Sequence, residues 1–176
     1  FCLCASSVYL LNDLLDMEAD RRHPRKRHRP LASGALSVPT AVCAIPLLLV
    51  ASFAVSLLLP MPFLWVLGVY FLLTLLYSLY LKRVMLPDVV LLAVLYTLRI
   101  VAGHGATELK FSLWLLLLAF FLFFSLALVK RYSELDSLQR GTQSAAHGRG
   151  YSVGHLRSIG IVGILSAVMS ALVVAL

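Results

Sequence analysis

Asn12, Asp13, Asp16 and Asp20 stand in the pattern N-D-x-x-D-x-x-x-D, and Arg21, Arg22, Arg25, Lys26, Arg27 and Arg29 come directly after them. On a helix that continues past Leu11, spacings of three, four and seven put those first four side chains on one face. Carboxylates on one stripe repel one another unless something positive lies between them. Mg2+ is the natural partner, since it takes oxygen ligands, keeps several waters and bridges carboxylates to substrate phosphates. Asp13, Asp16 and Asp20 are therefore the metal and catalytic candidates, with Asn12 as a ligand of the metal or of a phosphate oxygen. The basic run, interrupted by Pro24 and ended by Pro30 and Gly34, supplies the other half of a diphosphate site, where guanidinium and ammonium groups meet phosphate oxygens. Lys26, Arg27 and Arg29 in "KRHRPLASG" are the preferred phosphate ligands. The plainer alternatives are a solvated helix end and a basic anchor on anionic lipid.

A second charged group, Lys130, Arg131, Tyr132, Glu134 and Asp136, comes after a long apolar run. Glu134 is placed to hold a second cation or orient an acceptor, and Lys130 or Arg131 to bind phosphate. A charged collar ending a helix is the alternative. Tyr77, Lys82 and Arg83 in "YSLYLKR" form a third charged edge, with Tyr77 and Lys82 as substrate-binding candidates. Asp88 suits the positive end of a helix dipole. Arg99 lies deep in "VVLLAVLYTLRIVAG", where a charge costs roughly 2.5–3.5 kcal/mol on insertion scales; it is expected to face a cavity or the bundle interior and to bind substrate.

The elements that position these groups are read from hydropathy. Of the 176 residues 61% are hydrophobic and 13% charged, which implies an all-α, polytopic transmembrane bundle rather than a soluble core. The apolar runs predict complete spans over Leu36–Leu59, Pro62–Leu81, Leu86–Gly103 and Leu109–Val129, with partial helices ending near Leu11 and starting near Ile159. The whole of 1–176 reads as one transmembrane domain. Phe1 and Leu176 both fall inside apolar runs, so it is expected to be part of a longer chain. Thirteen of the fifteen Lys and Arg lie in the segments around Asn12–Leu36, Lys82–Asp88 and Lys130–Arg157, which the positive-inside rule assigns to the cytoplasm. Four intervening spans put the two acidic clusters on the same side of the membrane, where they can face one cavity. The polar stretch Gln139–Arg157 is long enough to cap such a site or to serve as a plain connector. The net charge of +7 is accounted for by topology, and no basic and aromatic platform for nucleic acid is present. Cys2, Cys4 and Cys43 have no metal-ligand spacing and read as packing residues.

These motifs resemble the UbiA superfamily of intramembrane prenyltransferases. The resemblance rests on N-D-x-x-D-x-x-x-D at Asn12–Asp20, its K-R-x-R-P-L-A-S-G continuation and the second charged loop four helices later. It implies a bundle of about nine helices with a cavity open to lipid, two cytoplasmic motifs that bind Mg2+ and a diphosphate-bearing donor, and a bacterial cytoplasmic membrane as the setting. On that template the chain lacks the first helix and the last two or so. Members that prenylate aromatic rings generally carry D-x-x-x-D in the second motif, where this chain reads "KRYSELDSLQ". "KRYSEL", "YSLYLKR" and "LRIVAG" are closer to the branch that makes decaprenylphosphoryl phosphoribose, in which a polyprenyl phosphate accepts phosphoribosyl from phosphoribosyl diphosphate. Prenylation of an aromatic acceptor from a polyprenyl diphosphate is the alternative within the family. A transporter would place its charges near the bilayer midplane, whereas these acids gather at one interface; a lipid-binding scaffold would need the basic loops but not the aspartates.

Overall fold

A computed structural model describes residues 1–107, 110–140 and 153–175. Among these residues eight α-helices run over Cys2–Leu15 (α1), Met17–Arg22 (α2), Pro30–Ser33 (α3), Val38–Ser56 (α4), Met61–Leu79 (α5), Met85–Ala106 (α6), Leu113–Gln139 (α7) and Leu156–Ala175 (α8). Five of them, α4 to α8, include stretches long and apolar enough to cross a membrane. The last of these was expected only as a partial helix, and its 20 residues are sufficient for a span. The chain divides into two compact units, Phe1–Leu75 and Leu76–Leu176, the division falling within α5.

In the first unit α1 packs along α4. Cys4, Ser7 and Val8 recur at helical spacing and are buried, and the Ser7 hydroxyl donates to the Ile45 carbonyl at 2.8 Å. That bond satisfies a polar group that hydrocarbon would leave stranded. Ser37 caps α4 by accepting the Thr40 N–H, and Pro39 in the first turn costs little because its N–H would have been unpaired there. Phe1 packs on Phe63 and Tyr70 of α5.

In the second unit α7 packs against both α6 and α8. Val89, Ala127, Leu128, Leu135 and Ile159 form its core, with Leu92, Phe124, Leu138 and Leu156 around them. Two serines lock α7 to α8 reciprocally: Ser125 donates to the Gly163 carbonyl at 3.0 Å and Ser166 to the Phe121 carbonyl at 3.2 Å. The buried face of α8 carries Ile159, Gly163, Ser166 and Ser170, a small-residue surface that lets the backbones approach.

One helix runs past its expected boundary. The apolar run predicts an end near Val129, yet α7 continues to Gln139. At 1.5 Å per residue its 27 residues extend about 40 Å, longer than a hydrocarbon core of roughly 30 Å. The extension is held because Leu128, Arg131, Leu135 and Leu138 recur at three, four and three residues. Leu135 is buried against the same core, and Leu138 packs on its edge.

A Cβ added at Gly163 would meet the Leu128 Cβ at 3.4 Å. Gly163→Leu is therefore expected to push α8 from α7 and destabilise the protein by about 1–3 kcal/mol. Ser125→Ala, which removes one interhelical hydrogen bond, should cost only about 0.6 kcal/mol. Thermal unfolding in detergent, followed by retention of the folded species on gel filtration, checks both the direction and the order of these effects.

Candidate functional site: two ionic clusters

In the first unit the acidic motif straddles a helix break. α1 continues past Leu11 to Leu15, as the spacing requires, and then Asp16, at φ −94° and ψ 2°, separates α1 from α2. The break is slight, since the Asp16 N–H still reaches the Asn12 carbonyl and the Asp20 N–H the Asp16 carbonyl. Asp13 and Asp20 thus stay on nearly one face.

Beyond α2 the basic segment folds back on itself instead of trailing as a loose tail. His23 is extended, as a residue before proline prefers, and its Nδ1 accepts the N–H groups of Arg25 and Lys26. A 3₁₀ turn over Lys26–His28 leads to Arg29, which precedes Pro30 in the first turn of α3. Gly34 ends α3 at φ 81°, a left-handed conformation that glycine adopts without Cβ strain. The Leu36 N–H returns to the Pro30 carbonyl, and Leu31 is buried beneath. Arg21 Nε donates to the Ala32 carbonyl, tying α2 to α3.

The result is a bridge. Arg29 Nη1 donates to Asp13 Oδ1 and to Asp20 Oδ2, each at 2.8 Å. Asp20 is nearly fully buried, whereas Asp13 and Arg29 are partly accessible. Burial pushes the Asp13 carboxyl above its ordinary pKa; Arg29 opposes that, Asp20 and Asp16 reinforce it, and Lys26 opposes it more weakly. Arg29 thus bridges the two acids.

The second unit holds the other cluster. Asp88, in the first turn of α6, is fully buried, and Arg131 on α7 is 2% exposed. Arg131 grips Asp88 through two donors, Nε to Oδ2 and Nη2 to Oδ1, a side-on fork that a guanidinium makes and an ammonium does not. Tyr77, near the end of α5, donates its hydroxyl to Asp88 Oδ1 at 2.9 Å. The remaining edge of Arg131 donates through Nη1 to Glu134 Oε2 at 2.6 Å, and Glu134 keeps 39% of its side chain exposed.

The structure thus joins Asp13, Asp20 and Arg29 in one cluster and Tyr77, Arg131 and Glu134 in another. Asn12 and Asp16 lie beside the first, and Lys26 is half-buried close enough to act on Asp13. Arg27 is exposed beside His28, Lys82 is half-buried and Lys130 exposed. Arg131 stood among the phosphate-binding candidates; two carboxylates now take up its guanidinium, so a phosphate would have to displace one of them. Arg99 is exposed on α6 rather than packed inside, with its guanidinium 4.9 Å from the centroid of the Tyr96 ring. Asp88, read from the sequence only as an acid suited to a helix dipole, turns out to be the buried partner of Arg131. Its signal lay elsewhere: Arg131 occupies a core position of the Leu128–Leu138 stripe, and a buried cation demands a buried acid. Most of the polar connector, residues 141–152, lies outside the described residues.

Whether Mg2+ suits the first cluster can be judged from its donors. Asp13 and Asp20 supply hard carboxylate oxygens that already converge on one cation, which is the donor chemistry Mg2+ takes. Among the described residues no three His, Cys, Asp or Glu are grouped to hold a metal by themselves. Water and phosphate oxygens would complete the shell, as is usual for this ion.

Comparison with known proteins places this geometry in a family. The profile of the UbiA prenyltransferase family matches residues 1–176. An uncharacterised protein of Sinorhizobium fredii is 43% identical over 154 residues, covering 88% of this chain and 30% of its own length. The decaprenyl-phosphate phosphoribosyltransferase of Mycolicibacterium smegmatis is 37% identical over 160 residues, covering 90% of this chain and 50% of its own. The chain thus spans half or less of these two relatives. Among solved structures, a UbiA homologue from Archaeoglobus fulgidus bound to GPP and Mg2+ superposes with a TM-score of 0.76 at 19% identity, over 97% of this chain and 62% of that one. An all-helical, membrane-spanning chain with its charges gathered at helix ends, matched along its whole length by the family profile, belongs to the UbiA prenyltransferase family.

Proposed function

We propose that the protein carrying this chain transfers phosphoribosyl from phosphoribosyl diphosphate to a polyprenyl phosphate, in a bacterial cytoplasmic membrane with its charged helix ends facing the cytoplasm. The observation that carries the reading is the convergence of Asp13 and Asp20 on a single positive group. Such a pair suits a diphosphate that arrives with its own cation. The choice of donor and acceptor is supported by 36–37% identity to decaprenyl-phosphate phosphoribosyltransferases over 80–97% of this chain. The second motif, "KRYSELDSLQ", favours the same branch over aromatic prenylation.

In the reaction, the bond between the sugar's anomeric carbon and the diphosphate oxygen breaks, the diphosphate leaves with the electron pair, and a phosphate oxygen of the lipid bonds to that carbon. Asp13 and Asp20, with Asp16 and Asn12 beside them, would hold the metal. Mg2+ bound there would stabilise the charge that develops on the leaving diphosphate. Arg29 starts between the two acids and has a partly exposed side chain, so it can turn from carboxylate to phosphate as the donor enters. Lys26 and Arg27 extend that positive edge, and Lys82 and Lys130 supply point charges for phosphate. Glu134 is the accessible carboxylate of the second cluster and orients the acceptor.

Four outcomes test the reading in membranes that contain the protein. Supplied with phosphoribosyl diphosphate and polyprenyl phosphate, or with polyprenyl diphosphate and an aromatic acid, the membranes should yield a phosphoribosylated lipid by mass; a prenylated ring would keep the family and overturn the substrates. Asp13→Ala should abolish the Mg2+-dependent product while the protein still inserts, and unchanged turnover would remove the metal assignment. Arg29→Gln should raise the donor KM by about tenfold, the scale of one charge-assisted hydrogen bond. Glu134→Gln should lower turnover with the acceptor more than it weakens donor affinity; equal losses would argue against an acceptor role.

A further inference from the structure

We propose that Asp88 is a positioning residue for Glu134, acting through Arg131, so that the site includes a buried acid that touches no substrate. The proposal rests on the reading of Glu134 as the acceptor-orienting carboxylate, and it is carried by the geometry of four side chains in the second unit.

Arg131 has one charge and two carboxylate partners. Burial separates the two acids: Asp88 is fully enclosed and accepts from Tyr77 as well as from the guanidinium, while Glu134 remains partly exposed. The fork to Asp88 also fixes the guanidinium plane, because two parallel N–H bonds leave it little freedom to rotate. Nη1 then points in a set direction, and Glu134, one helical turn farther along α7, is held by it at 2.6 Å. Without Asp88, Arg131 would be a buried cation with Glu134 as its remaining carboxylate partner in the trio. Glu134 would be drawn inward toward it, away from the place where it meets the acceptor.

A purely structural ion pair would hold α6 to α7 and stop there. Here the third donor of the same guanidinium reaches the accessible acid, and the three helices α5, α6 and α7 each contribute a member to the chain Tyr77–Asp88–Arg131–Glu134. Asp88 in the first turn of α6 and Tyr77 near the end of α5 set these two members at helix ends rather than deep in a span.

The test is a double-variant cycle measured per amount of folded protein in membranes, with phosphoribosyl diphosphate and polyprenyl phosphate as substrates. Asp88→Asn is expected to lower kcat by about tenfold or more while leaving the donor KM within about twofold, the pattern of a misplaced group rather than a lost binding contact. Asp88→Glu should recover part of that loss. In a Glu134→Gln background, Asp88→Asn should add no further loss, because its effect passes through the carboxylate already removed. Losses that multiply would overturn the positioning role while leaving the role of Glu134 intact. A Glu134→Gln protein with unchanged kcat would overturn both. If Asp88→Asn fails to accumulate, Arg131→Lys decides the matter in the same cycle: its ammonium keeps the charge but lacks the fork that grips Asp88 while reaching Glu134.

Discussion

A guanidinium enclosed by hydrocarbon side chains stays ionised only if its counter-charge is enclosed with it, and in this protein that requirement ties three helices together. Removing one partner of such a pair leaves an uncompensated buried charge, at about 3–5 kcal/mol. Arg131 sits on the apolar stripe of α7 between Leu128 and Leu135, so its partner had to come from a neighbouring helix. Asp88 comes from the start of α6, with Tyr77 from the end of α5 completing its hydrogen bonds. Beyond the membrane-length run α7 keeps Leu135 in the core and Leu138 packed on its edge.

The other cluster solves the converse problem. Around Arg29 one acid, Asp20, is nearly buried and the other, Asp13, is partly open to solvent, and burial disfavours the charged form of Asp13. The cost of holding such acids ionised together is relieved by any incoming cation, which makes the arrangement receptive rather than closed. Each cluster sets two carboxylates on one guanidinium; the Asp88–Arg131 pair is enclosed, whereas Asp13 and Arg29 are partly accessible.

How much of this was legible in the residues alone depended on whether the physics was local. Hydropathy alone located the membrane helices, because a run of apolar residues is a property of consecutive positions. The stripe of Asn12, Asp13, Asp16 and Asp20 was legible for the same reason, although nothing in "DLLDME", which has neither Pro nor Gly, signalled the break at Asp16. Arg29 could be singled out only as one of several phosphate candidates in its segment, since its contacts with Asp13 and Asp20 depend on a chain reversal. Asp88 and Arg131 are 43 residues apart, and no spacing rule connects them. The length of α7 beyond the span had the same origin: Lys130 and Arg131 close the apolar run, and only Leu135 and Leu138 on the buried side show that the helix continues.

The reversal that delivers Arg29 has a consequence for how the segment tolerates change. Because Gly34 closes α3 in a left-handed turn, Leu31 is buried and Arg21 is bonded to Ala32, the stretch from His23 to Gly34 is a piece of fixed length. Connections between helices ordinarily absorb insertions. This one is pinned on both sides of Arg29, by His23 accepting from Arg25 and Lys26 before it and by Leu31 and Ala32 after it, so an added residue would have to be taken up within the single turn between them.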